Sequence, residues 1–116
     1  MSRKHLIVDD SEINRMILKI FLTNHGIQSD EVEDGEEVME KIINSTYSAI
    51  WMDLNMDRMD GFECLKQIKT TFSGKIYAVT GYCDDHTIYM CDDAGFDGII
   101  TKPFTGDDIA KYVYHN

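Results

Sequence analysis

Apolar residues along this chain form short continuous runs that alternate with stretches where they recur every third or fourth position. His5 to Val8 is such a run and ends at Asp9-Asp10. Ser11 follows, and then Ile13, Met16, Ile17, Ile20 and Phe21 recur at helical spacing. This pattern predicts a strand and then a helix capped by Ser11 and stopped by Gly26. Ile27 to Glu33 reads as a second, more polar strand suited to a sheet edge. Asp34 with Glu37 three residues later resembles a capping box, opening a helix that carries Val38, Met39, Ile42 and Ile43. Ala49 to Met52 is continuously apolar, as expected of a strand buried on both faces, and ends at Asp53. A loop from Leu54 to Asp60 precedes a third helix marked by Phe62, Leu65, Ile68 and Phe72. Lys75 to Thr80 is the fourth strand. The next helix, capped by Asp84-Asp85, has only the thin stripe Ile88, Cys91 and Ala94 before Gly95. Gly98 to Thr101 is the fifth strand, and Thr105 caps a last helix through Ile109, Tyr112 and Val113.

Five strands alternating with five helices predict an α/β, doubly wound (βα)₅ fold: a five-stranded parallel sheet covered on both faces by right-handed crossovers. No repeat or linker interrupts the alternation, so residues 1–116 are expected to form a single domain. In open sheets of this kind ligands bind at the C-terminal ends of the strands. Those ends carry Asp9-Asp10, Asp53, Thr80 and, just past the fifth strand, Lys102. With neighbouring strands about 4.8 Å apart these side chains converge. Clustered carboxylates call for a divalent cation, and an all-oxygen donor set favours Mg²⁺ over zinc. Together with an ammonium and a hydroxyl, the group that satisfies them all is a phosphoryl group, with an aspartate as its acceptor.

Charge narrows the partners. The chain of 116 residues holds 21 acidic against 11 basic side chains, a formal net charge of −10. That balance disfavours nucleic acid and anionic membrane surfaces and leaves cations and proteins. No apolar run approaches the roughly 18 residues of a membrane span, and Asp9-Asp10 follows the start too soon for a signal peptide. Three cysteines, Cys64, Cys83 and Cys91, without metal spacing fit free thiols in a cytoplasmic setting. The other Asp-Asp pairs, at 84 and 85, 92 and 93, and 107 and 108, read as helix starts or solvated surface. Trp51, Phe62, Phe72, Met16 and Met39 read as core. His5, His25, His86 and His115 match no metal or triad spacing, so a relay histidine is expected on a partner.

Asp9-Asp10, the run Asp53-Leu54-Asn55-Met56 with Met59-Asp60-Gly61, Thr80-Gly81, and Lys102-Pro103-Phe104 stand in the order of a known signature. In them the chain resembles the CheY-like receiver domain of two-component response regulators, over essentially its whole length. The resemblance implies strand order 2-1-3-4-5 in a flavodoxin-like sheet and a phosphorelay switch. It implies that Asp53 accepts phosphate from a histidine kinase or histidine phosphotransfer protein. Asp10, Asp53 and the backbone carbonyl of Asn55 would hold Mg²⁺, with Mn²⁺ as an alternative, and Asp9 would act through water. Thr80 would bind the phosphoryl oxygen, Lys102 would pair with it, and a cis Lys102-Pro103 bond would aim the lysine inward.

The resemblance further implies output to a downstream protein through the fourth helix, fifth strand and fifth helix. Partner docking is expected on the first helix around Ile13, Asn14 and Ile17, with the chain a monomer or a weak phosphorylation-dependent dimer. Three departures stand out. Asp57 lies where the family commonly has proline, Ile99 lies where many receivers have a switching aromatic, and Tyr82 lies where side chains tune loss of phosphate. A bulky Tyr82 is expected to hinder attack by water. Such a domain is its own phosphoryl substrate and is not expected to be an enzyme. Asn55 disfavours the rival reading of an aspartyl phosphatase, which wants an acid there, and the acidic turn after the first strand disfavours a flavin or nucleotide carrier. Met1 just before the first strand and the end soon after the fifth helix lead us to expect a free-standing regulator.

Overall fold

The structure, a computed structural model, describes residues 3–114; His115 lies outside them. The strands are β1 (Lys4–Val8), β2 (Gln28–Val32), β3 (Ala49–Asp53), β4 (Lys75–Thr80) and β5 (Gly98–Thr101). The helices are α1 (Glu12–Asn24), α2 (Val38–Asn44), α3 (Gly61–Ile68), α4 (Asp85–Ala94) and α5 (Gly106–Val113). All strand pairs are parallel and the order is β2-β1-β3-β4-β5. This is the expected doubly wound sheet, with polar β2 at one edge. β3 is buried along its whole length, as its unbroken apolar run requires.

The strands alternate their side chains between two apolar layers. Leu6, Val8, Ile50, Met52 and Ala78 pack with Val38, Cys64, Leu65, Ile68 and Cys91 on the side of α2, α3 and α4. Ile7, Trp51, Tyr77, Val79 and Ile100 pack with Leu18, Leu22, Ile109 and Val113 on the side of α1 and α5. In that second layer the Trp51 indole N–H donates to Nδ1 of buried His5 at 3.0 Å. Burial, reinforced by the Arg3 charge, pushes the His5 pKa down to about 4.

Local signals set most boundaries. Ser11, Asp60, Asp84 and Thr105 each accept an N–H from the first turn of their helix, and Thr105 with Asp108 forms a full capping box. Gly95 stops α4 at φ 105°, a left-handed conformation that favours glycine. Cys91 is the only buried residue of α4, so its thin stripe is a thin interface.

Three expectations are corrected. Met16, read as core, is 54% exposed and joins Ile13, at 68%, and Ile20, at 53%, on an outward face, while Phe21, packed against the core, is the partly buried member of the series in α1. The buried residues of α1 are instead Arg15, Leu18 and Leu22. Arg15 is tolerated inside because its guanidinium donates to Asp9 O at 2.8 Å and to Glu31 Oε1 at 3.0 Å. Met16 is therefore surface, not core. Phe72 does not extend α3, which ends at Ile68; Phe72 packs against the core from the following turn. The Asp34 and Glu37 capping box does not form as such. Asp34 caps a short 3₁₀ turn, Gly35–Glu37, through Glu36 N–H, and Glu37 Oε2 accepts from Glu33 N–H.

Candidate functional site

Three in-register strands deliver the acidic pocket. Val8 pairs with Met52 and Asp53 with Val79, so Asp9 and Asp53 leave adjacent strand ends at one level. Thr80 pairs with Thr101, and Lys102 N–H donates to Thr80 O at 2.7 Å, bringing the lysine to the same edge. The Lys102-Pro103 peptide is cis, as expected from the resemblance. Carboxylate oxygens of Asp9, Asp10 and Asp53 all lie within 4.8 Å of one another. Asp9 and Asp53 are buried, whereas Asp10 is exposed. Lys102 Nζ sits 3.0 Å from Asp9 Oδ2 and 3.3 Å from Asp53 Oδ2, neutralising part of the cluster.

The remaining oxygens are fixed from the main chain. Asp9 Oδ1 accepts from Ser11 N–H at 2.8 Å, and Asp53 Oδ1 from Asn55 N–H at 3.2 Å. Arg15 holds Asp9 O from beneath, a contribution that the sequence hid because Arg15 stood among residues read only for their apolar spacing. Gly61 admits the start of α3 against the end of β3: a Cβ there would lie 2.5 Å from Asp53 O. Asn55 and Asp57 are exposed on the loop that follows Asp53. The buried Thr80 hydroxyl accepts from Tyr82 N–H at 3.0 Å and donates to Tyr82 O at 3.1 Å, tying the β4–α4 loop to its strand. The Tyr82 side chain is 69% exposed. Ile99 is half-buried against the α2, α3 and α4 layer. Its N–H donates to the Tyr112 hydroxyl at 3.2 Å, which bonds Ile99 O at 3.3 Å, so α5 straps the outer edge of β5.

Burial and then the nearby Asp9 charge push the Asp53 pKa up to about 6, against the Asn55 amide and Lys102, which favour the charged form. Burial alone would lower the Lys102 pKa, but its bonds to Asp9 and the charges of Asp53 and Asp9 raise it. The Asp53 carboxyl holds its proton more tightly folded than unfolded, so its contribution to stability falls as pH rises from about 4 to about 6. His5, depressed from 6.5 to about 4, acts with the opposite sign and gains stability over nearly the same window. The two contributions, similar in size and opposite in sign, largely cancel. Without divalent cations, Asp53→Asn should therefore be more stable than the parent at pH 7, with stability that rises steeply between pH 4 and 6.5. Urea titrations in chelator across that range test this; parallel pH profiles for parent and variant would refute it.

Comparison with known proteins agrees with this arrangement. Residues 6–114 match the family model described as the response regulator receiver domain. The chain is 33% identical over 110 residues to the osmosensing histidine protein kinase SLN1 of Saccharomyces cerevisiae, covering 88% of this chain and 9% of the kinase. It is 34% identical over 119 residues to the response regulator protein VraR of Staphylococcus saprophyticus, covering 97% of this chain and 56% of VraR. The chain thus spans about half the length, or far less, of these relatives. Among solved structures, the receiver domain of the sensor histidine kinase PA1611 from Pseudomonas aeruginosa aligns with a TM-score of 0.86 at 23% identity. That alignment covers 97% of this chain and 95% of PA1611's, and the PA1611 domain was solved with a magnesium ion coordinated in its active site cleft. The family match over nearly all of the sequence, joined to the β2-β1-β3-β4-β5 sheet and its acidic strand ends, establishes that this chain belongs to the response regulator receiver domain family.

Proposed function

We propose that this chain is a phosphorylation-dependent switch in which Asp53 accepts a phosphoryl group from a phosphohistidine of a histidine kinase or histidine phosphotransfer protein. The observation that carries this is the position of the Asp53 carboxylate, buried among Asp9, Asp10 and Lys102 at the C-terminal edge of the sheet. In the transfer, an Asp53 carboxylate oxygen attacks phosphorus, the P–N bond to the donor imidazole breaks as the P–O bond forms, and the imidazole takes up a proton. Lys102 moves from pairing two carboxylates to pairing the transferred phosphoryl oxygens, and its charge favours the transition state.

The donor set fits Mg²⁺: three carboxylates within reach of one point and an exposed Asn55 nearby supply hard oxygens and no soft ligand. Asp10, Asp53 and the Asn55 carbonyl would hold the ion, with Asp9 behind them, and Mn²⁺ would suit the same oxygens. The ion supplies neutralisation of charge on the phosphoryl group and carboxylates. The protein catalyses only its own phosphorylation and dephosphorylation and turns over no separate substrate.

Output runs through Thr80. Its hydroxyl exchanges the Tyr82 backbone for a phosphoryl oxygen, which frees the β4–α4 loop and lets weakly packed α4 shift. Tyr82, on that loop, shields the phosphoryl group from water. The surface of α4, β5 and α5 then engages a downstream protein. The outward Ile13, Met16, Ile17 and Ile20 face of α1 is the apolar surface for the phosphohistidine donor. Among the described residues no helix is long and apolar enough to cross a membrane.

Incubation with Mg²⁺ and acetyl phosphate, followed by intact mass, tests the reading. The parent should gain one phosphoryl group that hydroxylamine removes, and Asp53→Asn should gain none. Equal labelling of the two, or no labelling of the parent, would sink it.

A further inference from the structure

Asp34 does more than start a helix. Its side chain is buried, and its carboxylate reaches across to the loop that follows Asp53. Oδ1 accepts Met59 N–H at 3.0 Å besides that of Glu36 at 3.1 Å, and Oδ2 accepts Arg58 N–H at 3.0 Å. Arg58 Nε lies 3.8 Å from Oδ2, and the same guanidinium approaches Glu36 at 3.6 Å and Glu37 at 3.4 Å. Burial opposes ionisation of Asp34, yet three backbone amides and the Arg58 charge hold its pKa below the usual carboxylate value. Gly35 completes the contact, since a Cβ there would stand 2.9 Å from Met59 O and 3.0 Å from Cys64 Cβ. The Asp34-Gly35 turn is therefore seated directly on residues 58 and 59.

The loop is also held at Asn55, whose N–H donates to Asp53 Oδ1 at 3.2 Å, by Met56 against the core, and at its two ends. Leu54 N–H donates to Val79 O at 3.2 Å and Gly61 N–H to Leu54 O at 3.1 Å. Between them Asn55 and Asp57 are exposed, and Asp57 has no ring to restrict its φ. A main-chain carbonyl in such a loop binds a cation well only if its direction is set beforehand, because ordering it on binding subtracts from affinity. We propose that Asp34 is a positioning residue for phosphoryl transfer, holding the segment from Asn55 to Met59 so that the Asn55 carbonyl is presented to the cation. It touches neither cation nor phosphoryl group and acts through the two amide hydrogen bonds. This rests on the reading of the acidic pocket as a Mg²⁺ and phosphoryl site.

Isothermal titration of the unphosphorylated full chain with MgCl₂, paired with amide hydrogen exchange, tests the proposal. Asp34→Ala should weaken Mg²⁺ binding about tenfold and speed exchange at Arg58 and Met59. Asp34→Asn keeps one acceptor oxygen for the Met59 and Glu36 amides but turns an NH₂ toward the Arg58 N–H, so it should lie between the parent and Asp34→Ala, about threefold weaker than the parent. Arg58→Ala keeps both backbone donors and should stay within about twofold. Ile68→Val, which loosens the core far from the loop, should lower stability and leave Mg²⁺ affinity unchanged. If Asp34→Ala binds Mg²⁺ like the parent, or if it loses affinity with no faster exchange at Arg58 and Met59, the positioning role is overturned. The second outcome would mean that charge alone matters. Should Asp34→Ala fail to fold, Asp34→Asn against Arg58→Ala decides: the proposal fails if the asparagine variant, which loses the Arg58 amide bond, binds Mg²⁺ no more weakly than Arg58→Ala. A parent that binds no Mg²⁺ would instead overturn the reading of the pocket itself.

Discussion

Lys102→Ala should cost about 3 kcal/mol of stability at pH 7 in chelator and should disable the switch. Lys102 Nζ is within 3.3 Å of both Asp9 and Asp53, whose side chains are 6% and 4% exposed. Removing the ammonium leaves two buried carboxylates facing each other with Asp10 nearby, and no cation between them. The loss should shrink in acid, where Asp53 takes up its proton, and in millimolar MgCl₂, where a divalent cation replaces the missing charge. Urea unfolding of parent and variant at pH 5 and 7, each with chelator or Mg²⁺, separates these contributions. Equal stability at pH 7 in chelator would show that the carboxylates do not depend on Lys102. Acetyl phosphate should still label the variant slowly at Asp53. Without the ammonium the phosphoryl oxygens lose a partner at the end of β5, so phosphorylation should no longer alter amide exchange around Thr80 and α4.

Gly61→Ala should be nearly as damaging by a steric route. The new Cβ would stand 2.5 Å from Asp53 O, 3.0 Å from Leu54 Cα and 3.1 Å from Leu54 Cδ2. Two of these are main chain at the end of a fully buried strand, so the first turn of α3 must move away from β3 or push Asp53 out of line. Overpacking of this kind costs about 1–3 kcal/mol. A displacement of about 1 Å at the acceptor lowers the rate of phosphoryl transfer by up to about a hundredfold. Gly106→Ala is the matched control, because its Cβ meets only Phe21 at an ordinary 3.6 Å. If acetyl phosphate labels Gly61→Ala as fast as it labels Gly106→Ala, the close approach does not position the acceptor.

Much of the pocket is legible in the chain because a parallel (βα)₅ pattern assigns strand ends by counting. Asp9, Asp53, Thr80 and Lys102 each follow an apolar run, and runs of similar length in register bring their ends to one edge. Caps are equally local: Ser11, Asp60, Asp84 and Thr105 act within four residues of themselves. Asp34 sits at a capping position too, so local chemistry accounts for it without any long-range role. Its bonds to Arg58 and Met59 span 24 and 25 residues and exist only once β2 and β3, on either side of β1, end at the same edge of the sheet. Ile99 illustrates the same limit. Its identity marks a departure from the family pattern, but the hydroxyl that straps its backbone comes from Tyr112 on α5.

The clearest division lies in α1. The sequence by itself determined that residues 12–24 form a helix, because apolar residues recur there at the right spacing between a serine cap and a glycine. It also determined that the acidic strand ends would share a pocket. Only the tertiary structure decided which side of α1 turns inward. Ile13, Met16, Ile17 and Ile20 are more apolar than the side holding Arg15, yet Leu18 and Leu22 pack inward and carry Arg15 to the Asp9 carbonyl and Glu31. Periodicity measures the angle between like residues, not the hydrogen bonds that make a buried charge tolerable, and those partners come from two other strands. The apolar side left in water is the one proposed above as the docking face for a phosphohistidine donor.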